Sequence, residues 1–420
     1  MKRRSFLKIG LSLIVTNLLL ESNLFANTQN NEKIIINLLC YGGADFRYLF
    51  APTIEQEELR NLYFSKQPDI CSIEEYEPIT IDTLNYELKK NNINALRTSI
   101  ENKEIAIIPN VWFSDNRDHQ HSIARNLLGD NDLYTKSTTT LDGWLGRLSG
   151  NLKKNAITIS NEWSFAARTN SFVDSETINM KKTRPFGITD SDNVVSRALQ
   201  RYYNSETSNN EIVQNLVNSE KIIKNFSSEI NNRLDSTQQV STNISDSYLN
   251  NQVKSLFDSI DSRDILNSNY FYIDNPGWDF HGYFKNSANI KIPDMFGDGG
   301  LLDVITTELK KRNLWEQTTL IISSEFGRQL SQNGIQGKDH GHGNLMFVAG
   351  GSINGGIYGE MFPEEEKQLW ETVGGEIQGK TIGYEILGKI VENIEIGMGN
   401  KLFPSFQTGK IEKDFQLYKV

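Results

Sequence analysis

Short apolar runs alternate with longer amphipathic stretches along most of the chain. The runs at 33–40 and 318–323 are rich in Ile, Leu and Thr, as expected of strands buried on both faces of a sheet. Further strands are predicted at 104–108, 155–160, 270–273 and 345–349, and helices at 86–100, 118–128, 301–309 and 382–394. This alternation predicts an α/β fold, a three-layer sandwich with a mostly parallel central sheet.

One stretch interrupts the alternation. From about 195 to 266 the composition shifts towards Asn, Ser, Glu and Lys, while apolar residues keep a helical spacing. We predict a helical insert here, either a lid or a surface for a partner, within a single domain of residues 27–420.

The first 26 residues have the three parts of an export signal: a basic start, an apolar run at 9–20 and small residues near Ala26. The apolar run is shorter than the roughly 20 residues of a membrane span, although an uncleaved anchor is the alternative. The sequence RRSFLK at 3–8 resembles a twin-arginine signal. This implies export by the twin-arginine machinery, a periplasmic location and no stable membrane span once the signal is removed.

Charge and cysteine content narrow the classes of function. The formal net charge is −10, and residues 1–26 contribute +3, so the rest of the chain carries −13. A protein this acidic is a poor candidate for non-specific binding of nucleic acid. An anionic substrate would need local positive charge from metal ions or arginines. The two cysteines, Cys40 and Cys71, exclude a disulfide-rich scaffold and leave one bridge open.

Acidic and histidine side chains follow several of the predicted strands. The carboxyl ends of parallel strands meet at one edge of a sheet, and carboxylates with neutral imidazoles are ligands for Zn²⁺ or Mn²⁺. We therefore predict one or two divalent metal ions at this edge, the alternative being a hydrogen-bonded surface turn. In an extended segment, His340 and His342 would point to the same side. The candidate metal ligands are Asp45, Asp279, His281, Glu325, Asp339, His340 and His342.

The start of the helix predicted at 118–128 supplies a second group of candidates. Asp118 is placed to cap this helix, whose first N–H groups favour an anion. His119 and His121 have three alternative interpretations: they are metal ligands, acid–base groups, or packing residues at the start of the helix. Arginines near the candidate ligands, Arg47, Arg117 and Arg328, either hold the anion or form structural ion pairs. The candidate catalytic residues are Asp118, His119, His121, Ser122 and Arg328.

Several motifs, in order along the chain, resemble the exported DUF1501 family, which is grouped with alkaline-phosphatase-like and sulfatase-like enzymes. They are the twin-arginine start, GGAD at 42–45, GWLGR at 143–147, GWDFH at 277–281, SEFGR at 324–328, DHGHGN at 339–344 and GG at 350–351. The resemblance implies an alkaline-phosphatase-like fold with metals held by Asp and His at strand ends. It further implies that Asp45 and Glu325 are carboxylate ligands, that Asp279 and His281 form a ligand pair, and that His340 or His342 is the late histidine.

The chain departs from this resemblance in two places. Asp279 and His281 lie closer together than the corresponding superfamily residues, and Asp118 stands where the family usually has a serine nucleophile. Ser122, one turn later, is the candidate replacement; otherwise a metal-bound hydroxide would attack directly. We expect an exported metal-dependent hydrolase of a small phosphate or sulfate ester. The alternative is a non-catalytic exported binding or assembly protein that retains the fold.

Overall fold

The structure is a computed structural model of the chain. It describes residues 32–128, 142–160, 165–169, 171, 177–179, 229–230, 232–233, 239–403 and 415–419. The predicted signal at 1–26 and most of the predicted insert at 195–266 lie outside these residues. Among the helices of the described part, none has both the length and the apolar character needed to cross a membrane.

A nine-stranded sheet forms the centre of the molecule, in the order β13-β5-β12-β9-β1-β8-β6-β7, with β14 beside β5. Among the strands that the structure describes in this sheet, β12 runs antiparallel to its neighbours, β5 and β9, and the other pairs are parallel. Two small sheets, β2-β4-β3 and β10-β11, flank it. The strands are β1 Ile34–Leu39, β2 Phe50–Ala51, β3 Tyr76–Ile81, β4 Leu84–Lys89, β5 Ile105–Trp112, β6 Ala156–Thr158, β7 Thr177–Asn179, β8 Tyr270–Asp274, β9 Thr318–Ser323, β10 Arg328–Gln332, β11 Lys338–His340, β12 Asn344–Ala349, β13 Gly356–Ile357 and β14 Thr381–Ile382.

Helices cover both faces of this sheet. Successive side chains of the central strand β1 enter opposite cores, with Ile34, Ile36 and Leu38 in one and Ile35 and Leu39 in the other. The described helices are α1 Glu57–Ser65, α2 Asn94–Glu101, α3 His119–Leu128, α4 Trp144–Asn151, α5 Ser247–Asp261, α6 Phe284–Phe296, α7 Leu301–Lys311, α8 Lys367–Glu371, α9 Gly383–Glu392 and α10 Met398–Leu402. Side chains of α2, α5 and α7 join the first core, and those of α4 and α9 the second. The predicted three-layer α/β sandwich with a mostly parallel sheet is confirmed.

The prediction of a helix over 86–100 is wrong for the first half of this range. Strand β4 occupies Leu84–Lys89 and pairs antiparallel with β3. Asp82 has a left-handed φ of 56° in the turn between them, a conformation that Asp tolerates in tight turns. Pairing with β3 therefore overrides the local helical spacing, and helix α2 begins only at Asn94.

The part of the predicted insert that the structure describes packs on the main sheet. Helix α5 is capped by Asp246, whose side chain accepts hydrogen bonds from the N–H groups of Tyr248 and Leu249. Its apolar face, including Leu256 and Phe257, belongs to the larger core. This helix therefore stabilises the sandwich itself.

Candidate metal centre

The centre lies at the carboxyl ends of three adjacent strands, β8, β1 and β9, with Leu39 in register with both Asp274 and Ser323. Beyond β1 the chain turns at Gly42, whose φ of 112° favours glycine. A Cβ on Gly42 would lie 2.6 Å from the backbone nitrogen of Asp279. The missing side chain thus lets the loop after β1 touch the loop that carries Asp279.

Three side chains from distant parts of the chain converge here: His119 at the start of α3, Asp279 after β8 and His340 at the end of β11. One ligand atom from each lies within 4.8 Å of the other two, and this is the group among the described residues able to hold a metal ion. Asp279 Oδ1 is 3.7 Å from His119 Nε2 and 4.0 Å from His340 Nε2. His281 adjoins the group, with Nε2 3.2 Å from Asp279 Oδ1 and 3.0 Å from His340 Nε2.

Hydrogen bonds at the far side of each ring assign the tautomers of these three histidines. Nδ1 of His119 lies 2.9 Å from the Glu325 carboxylate, and Nδ1 of His281 lies 3.3 Å from the Asp339 carboxylate. Nδ1 of His340 donates to the carbonyl oxygen of Arg117 at 2.7 Å. Each Nδ1 therefore carries a proton, and in the neutral form of each ring the Nε2 lone pair faces the centre.

The contact between His281 and His340 favours a bound cation at this position. Burial and the nearby charge of Arg328 lower the pKa of His340, which opposes protonation of its ring. Arg328 Nη1 donates to His281 Nε2 at 3.3 Å, so that nitrogen also has a lone pair. The two lone pairs then face each other at 3.0 Å. Nitrogen ligands of a tetrahedral Zn²⁺ lie about 3.3 Å apart, so the residues present fit a divalent metal.

Arg328, a candidate catalytic residue, is held against Asp279 by a set of hydrogen bonds. Its Nε donates to the carbonyl of Gly43 and its Nη1 to that of Lys338. Its Nη2 donates to the carbonyl of Gly42 and, at 2.6 Å, to Asp279 Oδ1. With His281 these contacts use all five guanidinium donors. Burial alone would raise the pKa of Asp279, but the hydrogen bond and charge of Arg328 outweigh it and lower that pKa.

Two predicted metal ligands stand behind the histidines rather than among them. Glu325 is fully buried and accepts hydrogen bonds from the Gly42 N–H and from His119 Nδ1. The hydrogen bond that His119 donates to Glu325 raises the pKa of His119, although burial opposes this shift. Asp339 faces Nδ1 of His281. Both carboxylates orient imidazoles, the usual arrangement behind metal-binding histidines.

Two other predicted ligands lie elsewhere. Asp45 is buried against Lys338, with Oδ2 2.6 Å from Nζ. His342 stacks on Trp112 with ring centroids 4.9 Å apart, and its Nδ1 accepts the Gly379 N–H. His342 and His340 therefore diverge, because strand β11 ends at His340 and the alternation of side chains ends with it.

The start of α3 lacks an accessible hydroxyl at the predicted position. Asp118 caps the helix, its Oδ1 accepting the Gln120 N–H at 3.0 Å, as predicted. Ser122, the candidate nucleophile, is fully buried and donates to the Asn116 carbonyl at 2.6 Å. The side chain of His121 lies outside the described residues.

Of the other two arginines, Arg47 is buried beside Glu366, with 3.9 Å between nitrogen and oxygen, and Arg117 pairs with Glu376 at 2.8 Å. Glu376 is a neighbour of the centre that the sequence reasoning missed. It lies in a Gly-rich segment far from every motif, and its sequence context indicates only a loop.

Residues 184–368 match the family model described as "Protein of unknown function (DUF1501)", a range that contains GWDFH, SEFGR and DHGHGN. A search of curated proteins finds no match. Among solved structures, the chain is similar to the lipoteichoic acid synthase LtaP from Listeria monocytogenes, at 12% identity and a TM-score of 0.23, over 84% of this chain and 75% of that one. A TM-score this low carries no argument about fold or function. The family match confirms the resemblance for the motifs that lie within residues 184–368, and this part of the chain is similar to the DUF1501 family.

Proposed function

We propose that the protein is an exported, periplasmic metal-dependent hydrolase of phosphate or sulfate esters. His119, Asp279 and His340 would hold the metal, with His281 beside them. The observation that carries the proposal is the convergence of three Nε2 lone pairs on one carboxylate, each ring being oriented by an acceptor at Nδ1.

A bound divalent ion would lower the pKa of a water molecule and neutralise charge on the ester oxygens. The chain's own residues prepare the centre for this. Arg328 fixes Asp279, and Glu325 keeps the His119 proton at Nδ1. Since Ser122 is buried, attack by water suits this chain better than a serine nucleophile.

The buried Ser122 is also what favours the alternative, a binding or assembly protein that keeps the cation and lacks turnover. Metal content and turnover separate the two functions. We expect the purified protein to hold a stoichiometric divalent metal, zinc or manganese, and to hydrolyse aryl phosphates or aryl sulfates.

Asp279→Asn and His340→Ala remove ligands, and both are expected to lose the metal and the turnover. Loss of a ligand should cost more than the about 10–100-fold typical of outer-shell substitutions. Asp115→Asn is the matched control, because this carboxylate is 83% exposed and its neighbour at 3.7 Å is His342, which lies outside the centre. If the protein holds the metal but shows no turnover, the binding-protein alternative is supported. Wild-type protein without stoichiometric metal would refute the hydrolase.

A further inference from the structure

Residues 374–379, which we call the strap, form a loop along two parts of the candidate metal centre. The Gly375 carbonyl accepts the Leu330 N–H of β10 at 2.9 Å, and the Ile377 carbonyl accepts the Gly343 N–H after β11 at 2.9 Å. The strap is therefore bound both to the hairpin that begins at Arg328 and to the loop that follows His340.

Glu376, the acidic residue of the strap, connects this loop to a third segment. Its Oε2 accepts from Arg117 Nη1 at 2.8 Å, and its Oε1 accepts the His342 N–H at 3.2 Å. One carboxylate thus joins the segment before α3 to the segment after β11. The pair is partly shielded, the Arg117 and Glu376 side chains being 35% and 26% exposed.

The carbonyl of Arg117 in turn accepts the Nδ1 proton of His340 at 2.7 Å. Holding Arg117 by its side chain therefore holds the acceptor that fixes the tautomer and orientation of His340. We propose that Glu376 is a positioning residue which presets His340 for the metal through Arg117. The metal part of this inference rests on the proposed function, whereas the tautomer part concerns the metal-free protein as well.

The chemistry of the contact makes glutamine a sharp test. Both partners of Glu376 are donors, a guanidinium N–H and a backbone N–H, so both need an acceptor oxygen. A glutamine at 376 has one acceptor oxygen, so its amide N–H₂ must face one of the two donors, either the Arg117 guanidinium or the His342 N–H. Glu376→Gln keeps the size of the side chain, yet it leaves either Arg117 or the His342 N–H without its partner.

The experiment compares wild type, Glu376→Gln, Arg117→Met and the double variant, with Glu371→Gln as control. Glu371 is an exposed glutamate three residues before the strap. In metal-free protein, imidazole ¹⁵N shifts report which His340 nitrogen carries the proton. Zinc affinity is then measured by competition with a chromophoric chelator, and circular dichroism and melting show that each variant is folded.

We expect His340 to be mainly the Nδ1–H tautomer in wild type and a mixture of tautomers in both single variants. Zinc affinity should fall about 10-fold or more in each, as for other outer-shell partners of metal-binding histidines. The double variant should bind no more weakly than the worse single variant, because both substitutions break one connection. Glu371→Gln should match wild type.

A folded Glu376→Gln variant with the wild-type His340 tautomer and wild-type zinc affinity would overturn the positioning role. An additive loss in the double variant would do the same, since it would show that Glu376 and Arg117 act separately. If wild type binds neither zinc nor manganese, the hydrolase proposal fails, and the His340 shifts alone decide whether Glu376 sets the tautomer.

Discussion

Replacing Glu325 with Gln isolates the hydrogen bond that orients His119. Glu325 is fully buried; its Oε1 lies 2.9 Å from His119 Nδ1 and 2.8 Å from the Gly42 nitrogen. A glutamine oxygen at the Oε1 position keeps both donors. Its amide nitrogen would then lie where Oε2 is now, 3.0 Å from the Ser324 hydroxyl, which is able to accept. The variant should therefore fold, with the charge removed and the shape retained.

The magnitude follows from the change in type of hydrogen bond. A hydrogen bond to a charged group contributes about 1.5–3 kcal/mol, and one between neutral groups about 0.5–1.5 kcal/mol. The difference, about 1–1.5 kcal/mol, is the stabilisation of the protonated His119 ring that the variant should lose. Because 31% of the His119 side chain remains exposed, water also solvates the imidazolium, and we expect the lower end of this range. The pKa of His119, which the hydrogen bond to Glu325 raises, should therefore fall in Glu325→Gln.

Imidazole NMR titration of the metal-free protein measures this change directly. The chain has five histidines, so single substitutions assign the signals. The matched control is Glu101→Gln, an exposed glutamate at the end of α2. Zinc affinity should fall about 10–100-fold in Glu325→Gln and stay unchanged in the control. An unchanged His119 midpoint in the folded variant would refute the assigned contact and the tautomer derived from it.

The same shift predicts how stability depends on pH. The folded-state pKa of His119 is raised by Glu325, so the protonated ring stabilises the fold. This contribution is fully present below the unfolded pKa, about 6.5, and is lost as the pH rises through the folded-state pKa. In urea unfolding of metal-free protein, the difference in free energy between wild type and Glu325→Gln should shrink across that window. A difference that grows with pH would have the wrong sign.

Two further predictions concern the scaffold of the centre and a buried ion pair. Gly337→Ala should destabilise the protein by about 2 kcal/mol or more and weaken zinc binding, because the new Cβ would lie 1.9 Å from the His281 carbonyl oxygen. Gly334→Ala is the control, because Gly334 has open space around it. Equal urea midpoints for the two variants would contradict the packing at Gly337. Arg47→Met should lower the free energy of urea unfolding by about 3–5 kcal/mol, because Glu366 stays buried without the arginine that lies 3.9 Å away. The double variant Arg47→Met with Glu366→Met should recover much of this loss. Additive losses would show that the two residues are not coupled.

Much of the fold could be predicted because its strands are buried on both faces. In β1 and β9 the requirement for burial on each face produces a continuous apolar run, which is visible without knowledge of the partner strand. The residues that follow these strands then share an edge, and this placed Asp279 and Glu325 near each other. Which carboxylate meets the metal and which orients a histidine depends on distances of a few ångström, and strand order does not determine these.

Contacts between segments with no periodic pattern could not be predicted. The β10–β11 hairpin is short and polar, and its pairing of Arg328 with His340 depends on the surrounding loops. The role of Arg328 follows from carbonyls contributed by separate segments, and that of Glu376 from a Gly-rich loop. Hydrogen bonds of this kind involve backbone atoms, which every residue has, so the side-chain sequence does not mark them.

The buried Lys338 bears on how many metal ions the centre holds. Its ammonium lies 2.6 Å from Asp45, and both side chains are almost fully buried, so this carboxylate is already neutralised. Asp279 shares its Oδ1 with Arg328, and Glu325 accepts from His119. A second divalent ion held by the Asp45 carboxylate would lie beside the Lys338 ammonium in a buried, weakly screened environment. The charges present balance one divalent ion far better than two, so the ratio of metal to protein should be one.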